Sequence, residues 1–131
     1  MKTLHTLLLL GAILFSTHTL SAKDHTLLSL TDTNYLSTLL NSDKPILVKF
    51  WASWCRPCKK MAPNYTKASK AFEGKVSFAE VNIDTQSKVA RAYDITSLPT
   101  IILFHKNKII KQNIGLLTQK EIESFVTTAL K

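Results

Sequence analysis

Cys55 and Cys58 are the only cysteines of this chain, and they lie in the segment Trp54-Cys55-Arg56-Pro57-Cys58. A thiol attacks a disulfide only as its thiolate. A cysteine that exchanges disulfides therefore needs a lowered pKa, access to its target and a second thiol that can reach the mixed disulfide. A strand-to-helix junction supplies all three. Cys55 is expected at a helix N-terminus, where unpaired backbone N–H groups and the helix dipole favour negative charge, and Cys58 follows one turn later on the same side. Pro57 suits the first helical turn, since its φ is already fixed and its missing N–H is not needed there. Arg56 places a cation between the two sulfurs in sequence, which favours thiolate and so the reduced pair. That makes the pair a better oxidant. Other uses of paired cysteines fit less well. Structural zinc takes about four protein ligands, and the chain has neither a second cysteine pair nor a paired-histidine spacing. Haem attachment wants His directly after the second cysteine, where this chain has Lys59. An inert, buried structural pair is the remaining alternative.

The elements that must hold this pair can be read from periodicity. Pro45 introduces Ile46-Leu47-Val48-Lys49-Phe50-Trp51, a nearly continuous apolar run of the kind buried on both faces of a sheet. From Pro57 the pattern turns helical through Phe72, with Met61, Tyr65, Ala68 and Phe72 on one stripe, and Gly74 stops it. Pro63 lies inside that helix and is expected to kink it rather than end it. Leu27 to Leu30 reads as a short strand. Thr31 is then expected to open a helix through about Leu40, with Tyr35, Leu36, Leu39 and Leu40 facing inward. Val76 to Ile83 reads as a second buried strand. Thr85 is expected to cap a helix through about Tyr93 that carries Val89, Ala90 and Tyr93 inward. Thr100 to Phe104 and Ile109 to Ile114 flank Lys106-Asn107-Lys108 as a hairpin. Thr118 with Glu121 forms a capping box for a last helix packing Ile122, Phe125, Val126 and Leu130. Alternating strands and helices of this kind signal an α/β fold.

The N-terminus reads differently from the rest. Lys2 precedes an apolar run from Leu7 to Phe15, followed by small and polar residues through Ser21 and Ala22, the order of a secretory signal. Nine residues are too few to cross a membrane, which takes about 20 apolar residues. Residues 1–22 are therefore expected to be a signal peptide cleaved after Ala22, with cleavage after Ser21 as the competing site. Removing 22 of the 131 residues leaves 109, Lys23 to Lys131, enough for one domain with one modest core. Loss of Lys2 takes the formal charge from +8 to +7. The lysines are spread along the chain without the aromatic interleaving that stacks bases, which argues against nucleic-acid binding. The excess serves solvation first, then steering of acidic partners or attraction to an anionic membrane surface.

Taken in order, the strand ending Phe50-Trp51-Ala52, Trp54-Cys55-x-Pro57-Cys58-Lys59, Ala62-Pro63, Val81-Asn82-Ile83-Asp84, Leu98-Pro99-Thr100 and Gly115 resemble the thioredoxin family over nearly the whole mature chain. The resemblance implies a thioredoxin fold, a central five-stranded mixed sheet flanked by four helices. It implies Cys55 as nucleophile and Cys58 as resolving thiol, with the redox-active disulfide between them and no other cofactor or metal. It also implies a cis bond before Pro99, which would face the cysteines while the backbone preceding it pairs with an extended substrate segment. Trp54, Leu98 and Gly115 would line the substrate groove, and Trp51 would support it from the core. The expected activity is that of an exported, periplasmic thiol-disulfide oxidoreductase that reduces disulfides in other exported proteins, cytochrome c precursors among the candidates. A membrane electron-transfer protein is the expected redox partner, and the chain is expected to be a monomer. A disulfide-forming oxidant is the alternative, and a module that only holds unfolded segments beside Pro99 is a third reading. No dimerisation domain of the isomerase kind fits in the mature length.

Two departures from the family matter. Thioredoxins usually carry a buried aspartate at the position of Lys49 and a lysine at that of Glu80, so the charges are exchanged here. Each is the sole charge within an apolar strand. Burying either alone would be costly, so a Lys49–Glu80 contact beneath Cys58 is expected, with Glu80 as a candidate for assisting proton transfer at the resolving thiol. The glycine usual before the loop proline is Arg56, so the redox poise of the family does not carry over directly.

Overall fold

The computed structural model describes residues 26–131. The expected signal peptide and its cleavage sites lie outside the described residues.

The apolar run Ile46–Trp51 forms the central strand β2, buried throughout except at Trp51. Five strands make one mixed sheet in the order β1-β3-β2-β4-β5, with β1 at Leu28–Ser29, β3 at Ser77–Asn82, β4 at Thr100–His105 and β5 at Lys108–Ile114. β1 and β2 run parallel to β3, while β4 is antiparallel to both β2 and β5. Four helices complete the fold: α1 at Tyr35–Asn41, α2 at Arg56–Ala71, α3 at Ser87–Ala92 and α4 at Gln119–Ala129.

Alternation along the strands sends side chains to two separate cores. On one face Leu47, Phe78, Ile101 and Leu103 pack with Met61, Tyr65 and Ala68 of α2 and with Ile122, Phe125 and Val126 of α4. On the other, Ile46, Val48, Phe50, Ala79, Val81, Ile102 and Phe104 pack with Leu39 of α1 and Val89 of α3. α2 runs on through Pro63, and Gly74 sits beyond its end with φ +78°. The hairpin between β4 and β5 turns on Lys106 and Asn107, both at positive φ, as a two-residue turn that follows strand twist requires. The Thr118–Glu121 box is present. Thr118 N–H donates to the Glu121 carboxylate and holds its carboxyl below the usual range, while Glu121 N–H donates to Thr118 Oγ1.

Three expectations are corrected. Thr31 opens a turn rather than regular helix: its N–H donates to Asn34 Oδ1 at 2.8 Å and its Oγ1 accepts from Asn34 N–H, so α1 begins only at Tyr35. Two turns of helix can bury little, and Leu36 and Leu40 are exposed, as is Leu130 past the end of α4. Thr85 does not cap α3. Asp32 does, from 57 residues away, by accepting from Val89 N–H at 2.9 Å, while Gln86 Oε1 accepts from Asp32 N–H.

Tyr65 joins α2 to the sheet. Its fully buried hydroxyl donates toward both Leu47 O (2.8 Å) and Ala79 O (2.7 Å), a single proton shared between β2 and β3. Tyr65→Phe leaves the ring in place and strips those carbonyls of a buried donor. It should lower the unfolding free energy by about 1–3 kcal/mol, read as a lower urea midpoint at unchanged slope.

Candidate active site

β2 ends at Trp51, and the chain turns at once into α2, with Cys55 N–H donating to Ala52 O at 3.2 Å. Cys55 is the N-cap of α2, with Arg56 and Pro57 in its first turn, so its sulfur lies among the free N–H groups of the helix start. Cys58 N–H points at Cys55 Sγ, 3.3 Å away. The two sulfurs are joined as a disulfide.

The pair is less accessible than its chemistry suggested, Cys55 being 4% exposed and Cys58 3%. The sulfurs nonetheless border different spaces. Cys55 lines an open groove of about 540 Å³ with Trp54, Arg56, Pro57, Ile83, Ile95, Thr96 and Leu98. Cys58 lines a separate cavity of about 250 Å³ with Lys49, Trp51, Lys59, Ala62 and Glu80. Beneath the disulfide, Cys55 and Cys58 pack on Ala52, Trp51, Ile83 and Leu98.

The groove is walled largely by apolar side chains. Trp54 is its most exposed member at 69%, fixed by an Nε1–H bond to Asp84 Oδ1 of 3.1 Å. Leu98 precedes a cis bond to Pro99. Pro99 is buried and does not line the groove itself, and its carbonyl accepts from Gly115 N–H at 2.8 Å. Gly115 is likewise not among the residues of that wall. That hydrogen bond ties it to Pro99, and its φ of +108° is one that side chains rarely adopt. Ile83, Ile95 and Thr96 also belong to the wall; Ile95 and Thr96 carry no motif that would have marked them, and Ile83 lies in the Val81-Asn82-Ile83-Asp84 segment without a groove role read from it. They come from the ends of β3 and α3, whose place beside the cysteines is set by the sheet order.

Lys49 and Glu80 are register partners on β2 and β3, and Lys49 Nζ lies 3.3 Å from a Glu80 carboxylate oxygen. Lys49 is 3% exposed, and burial pulls its ammonium below the usual lysine value against the opposing attraction of Glu80. Its Nζ also sits 4.8 Å from the centre of the Tyr65 ring, a cation–π contact. Trp51 Nε1 is buried with no hydrogen-bond partner in the structure. Among the described residues no group of three or more His, Cys, Asp and Glu could hold a metal ion.

The thioredoxin family model matches residues 26–128. Similar proteins include a thioredoxin of Buchnera aphidicola subsp. Acyrthosiphon pisum, 36% identical over 100 residues that cover 76% of this chain and 93% of that one. A thioredoxin of Alicyclobacillus acidocaldarius is 36% identical over 104 residues, 79% of this chain and 98% of its own. A thioredoxin of Mycoplasma pneumoniae is 41% identical over 92 residues, 70% of this chain and 89% of its own.

Gly115→Ala isolates the backbone requirement at the site, because an added Cβ meets nothing within 4 Å. The cost is conformational alone, about 1–3 kcal/mol. Chemical denaturation should show that loss, and a stability equal to the unsubstituted protein would refute the constraint.

Proposed function

This chain belongs to the thioredoxin family, and from that premise we propose that it works after export, with residues 1–22 removed, as a periplasmic reductant of disulfides in other exported proteins. As a family member it is a protein-disulfide oxidoreductase that acts on cysteine-containing proteins through its own disulfide, with no further cofactor. Support for export comes from Lys2 and the apolar run Leu7 to Phe15 ahead of Ser21 and Ala22.

The division of the two sulfurs between groove and cavity carries the mechanistic reading. A substrate disulfide enters the groove against Trp54, Ile83, Ile95 and Leu98, its extended backbone pairing with the segment just before Pro99. The reduced protein presents Cys55 as thiolate, favoured by the helix start and by Arg56. Cys55 Sγ bonds to one substrate sulfur, the substrate disulfide breaks, and the other substrate sulfur leaves with the electron pair as a thiolate. Cys58, once deprotonated, bonds to Cys55 Sγ and releases the second substrate thiolate. Two electrons have passed to the substrate, and Cys55–Cys58 is again a disulfide. A membrane electron-transfer protein then restores the dithiol by the same exchange, and cytochrome c precursors are among the substrates that this chemistry serves. A disulfide-forming oxidant would run these steps in reverse, and Arg56 in the groove wall is the observation in its favour.

The reduction potential against glutathione separates the two directions. A value near the thioredoxin level of about −270 mV supports the reductant, and one near about −120 mV defeats it. A Cys58→Ser variant expressed with its leader should retain substrates as mixed disulfides through Cys55, in envelope fractions and on a chain that begins at Lys23 or Ala22. Trapping only on an uncleaved cytoplasmic chain would overturn export.

A further inference from the structure

Cys58 is almost fully buried, and the cavity of about 250 Å³ is the space it borders. To resolve a mixed disulfide its thiol must ionise there, placing a negative charge away from bulk water. That is costly unless a cation accompanies it. The charged and titratable groups around this space are Lys49 from β2, Glu80 from β3 and Lys59 from α2, with the Tyr65 phenol of α2 against Lys49. Tyr65 stays neutral, because burial pushes its phenol well above the usual value and its hydroxyl is committed to two carbonyls. Lys59 is exposed to solvent. Lys49 is thus the buried cation at this cavity, held 3.3 Å from Glu80. The same wall contains Trp51, whose buried Nε1–H has no acceptor. An ammonium in the wall of the cavity that a buried sulfur borders suits an anion there.

We propose that Lys49 is the counterion of the Cys58 thiolate, its ammonium passing from Glu80 to the sulfur as the resolving thiol ionises. The proposal rests on the reading of Cys58 as the resolving thiol. The proton leaves Cys58 Sγ and crosses the cavity to the Glu80 carboxylate, whose side chain is 33% exposed. Glu80 becomes neutral and gives up Lys49, which now faces the thiolate. One ammonium and one anion are present before and after, so no uncompensated charge is ever buried. The Cys58 electron pair then forms the bond to Cys55 Sγ, the bond from Cys55 to the substrate sulfur breaks, and the substrate leaves as thiolate and takes a proton from water. Glu80 releases its own proton to solvent through its exposed side and recovers Lys49. A carboxylate at position 49 would oppose the thiolate, so the exchanged charges make the floor of this site favourable to the ionised Cys58.

The test uses a Cys55→Ser background, in which Cys58 is the sole thiol and its ionisation can be followed against pH by the ultraviolet absorbance of the thiolate, without substrate. Lys49→Met keeps an apolar stem over Tyr65 but leaves Glu80 alone opposite the sulfur, and should raise the Cys58 titration midpoint by about one pH unit or more. Glu80→Gln removes the competing anion and should lower it. In the protein with both cysteines, Lys49→Met should slow mixed-disulfide resolution about tenfold at neutral pH. A pair that only satisfies two buried charges would lower thermal stability in both variants and leave the midpoint unmoved. An unmoved midpoint, or shifts of the same sign in the two variants, overturns the proposal. Should Lys49→Met fail to fold, Glu80→Gln at its partly exposed position carries the test alone, and anything other than a downward shift defeats it. Failure of Cys58→Ser to trap substrate would instead remove the resolving role, a result independent of these titrations.

Discussion

A lysine within a buried strand stays charged only if an anion lies beside it, and this requirement fixes how the middle of the sheet is assembled. Lys49 and Glu80 meet because β2 and β3 pair in one register. A slip of one residue would turn one of the two side chains to the opposite face and leave Lys49 in the core without a partner. The same register lets Tyr65 share its proton between Leu47 on β2 and Ala79 on β3. It also brings Ile83 N–H to Trp51 O at the strand ends. From there Ala52 anchors the turn that carries Cys55 into α2, so the position of the reactive sulfurs is inherited from a charge pair deeper in the sheet.

What the sequence discloses about the fold depends on whether the deciding contact is local. The central strand follows from six residues in a row, the last helix from Thr118 and Glu121, and the hairpin from a turn between two β-rich runs. Each of these signals lies within one element. α3 does not work this way, because its cap comes from Asp32 on the far side of the sequence, and no spacing around Thr85 could announce it. Periodicity likewise marks a stripe on α1 without telling how much sheet lies beneath it. Leu39 reaches the core, while Leu36 and Leu40 remain in solvent.

The site divides along the same line. Cys55, Arg56, Pro57 and Cys58 are legible because helix-start chemistry is contiguous, and Lys49 and Glu80 because lone charges in apolar strands need partners. Ile83, Ile95 and Thr96 are not legible, since they belong to the groove only through the sheet order that brings the ends of β3 and α3 alongside Cys55. The cis bond before Pro99 came from family resemblance, as nothing in a Leu-Pro pair distinguishes it from the commoner trans form. The separation of the two sulfurs into different spaces, and the unpartnered indole beside one of them, are properties of packing and have no counterpart in residue order.

β5 forms one rim of the sheet, where among the described residues a row of peptide N–H and C=O groups faces no further strand. With Ile109, Ile110 and Ile114 exposed along it, such a rim is a template for another copy of itself. Lys108 and Lys111 stand on that strand, so two rims brought together would bring like charges near each other. The lysines that raise the chain's net charge also oppose extension of its sheet.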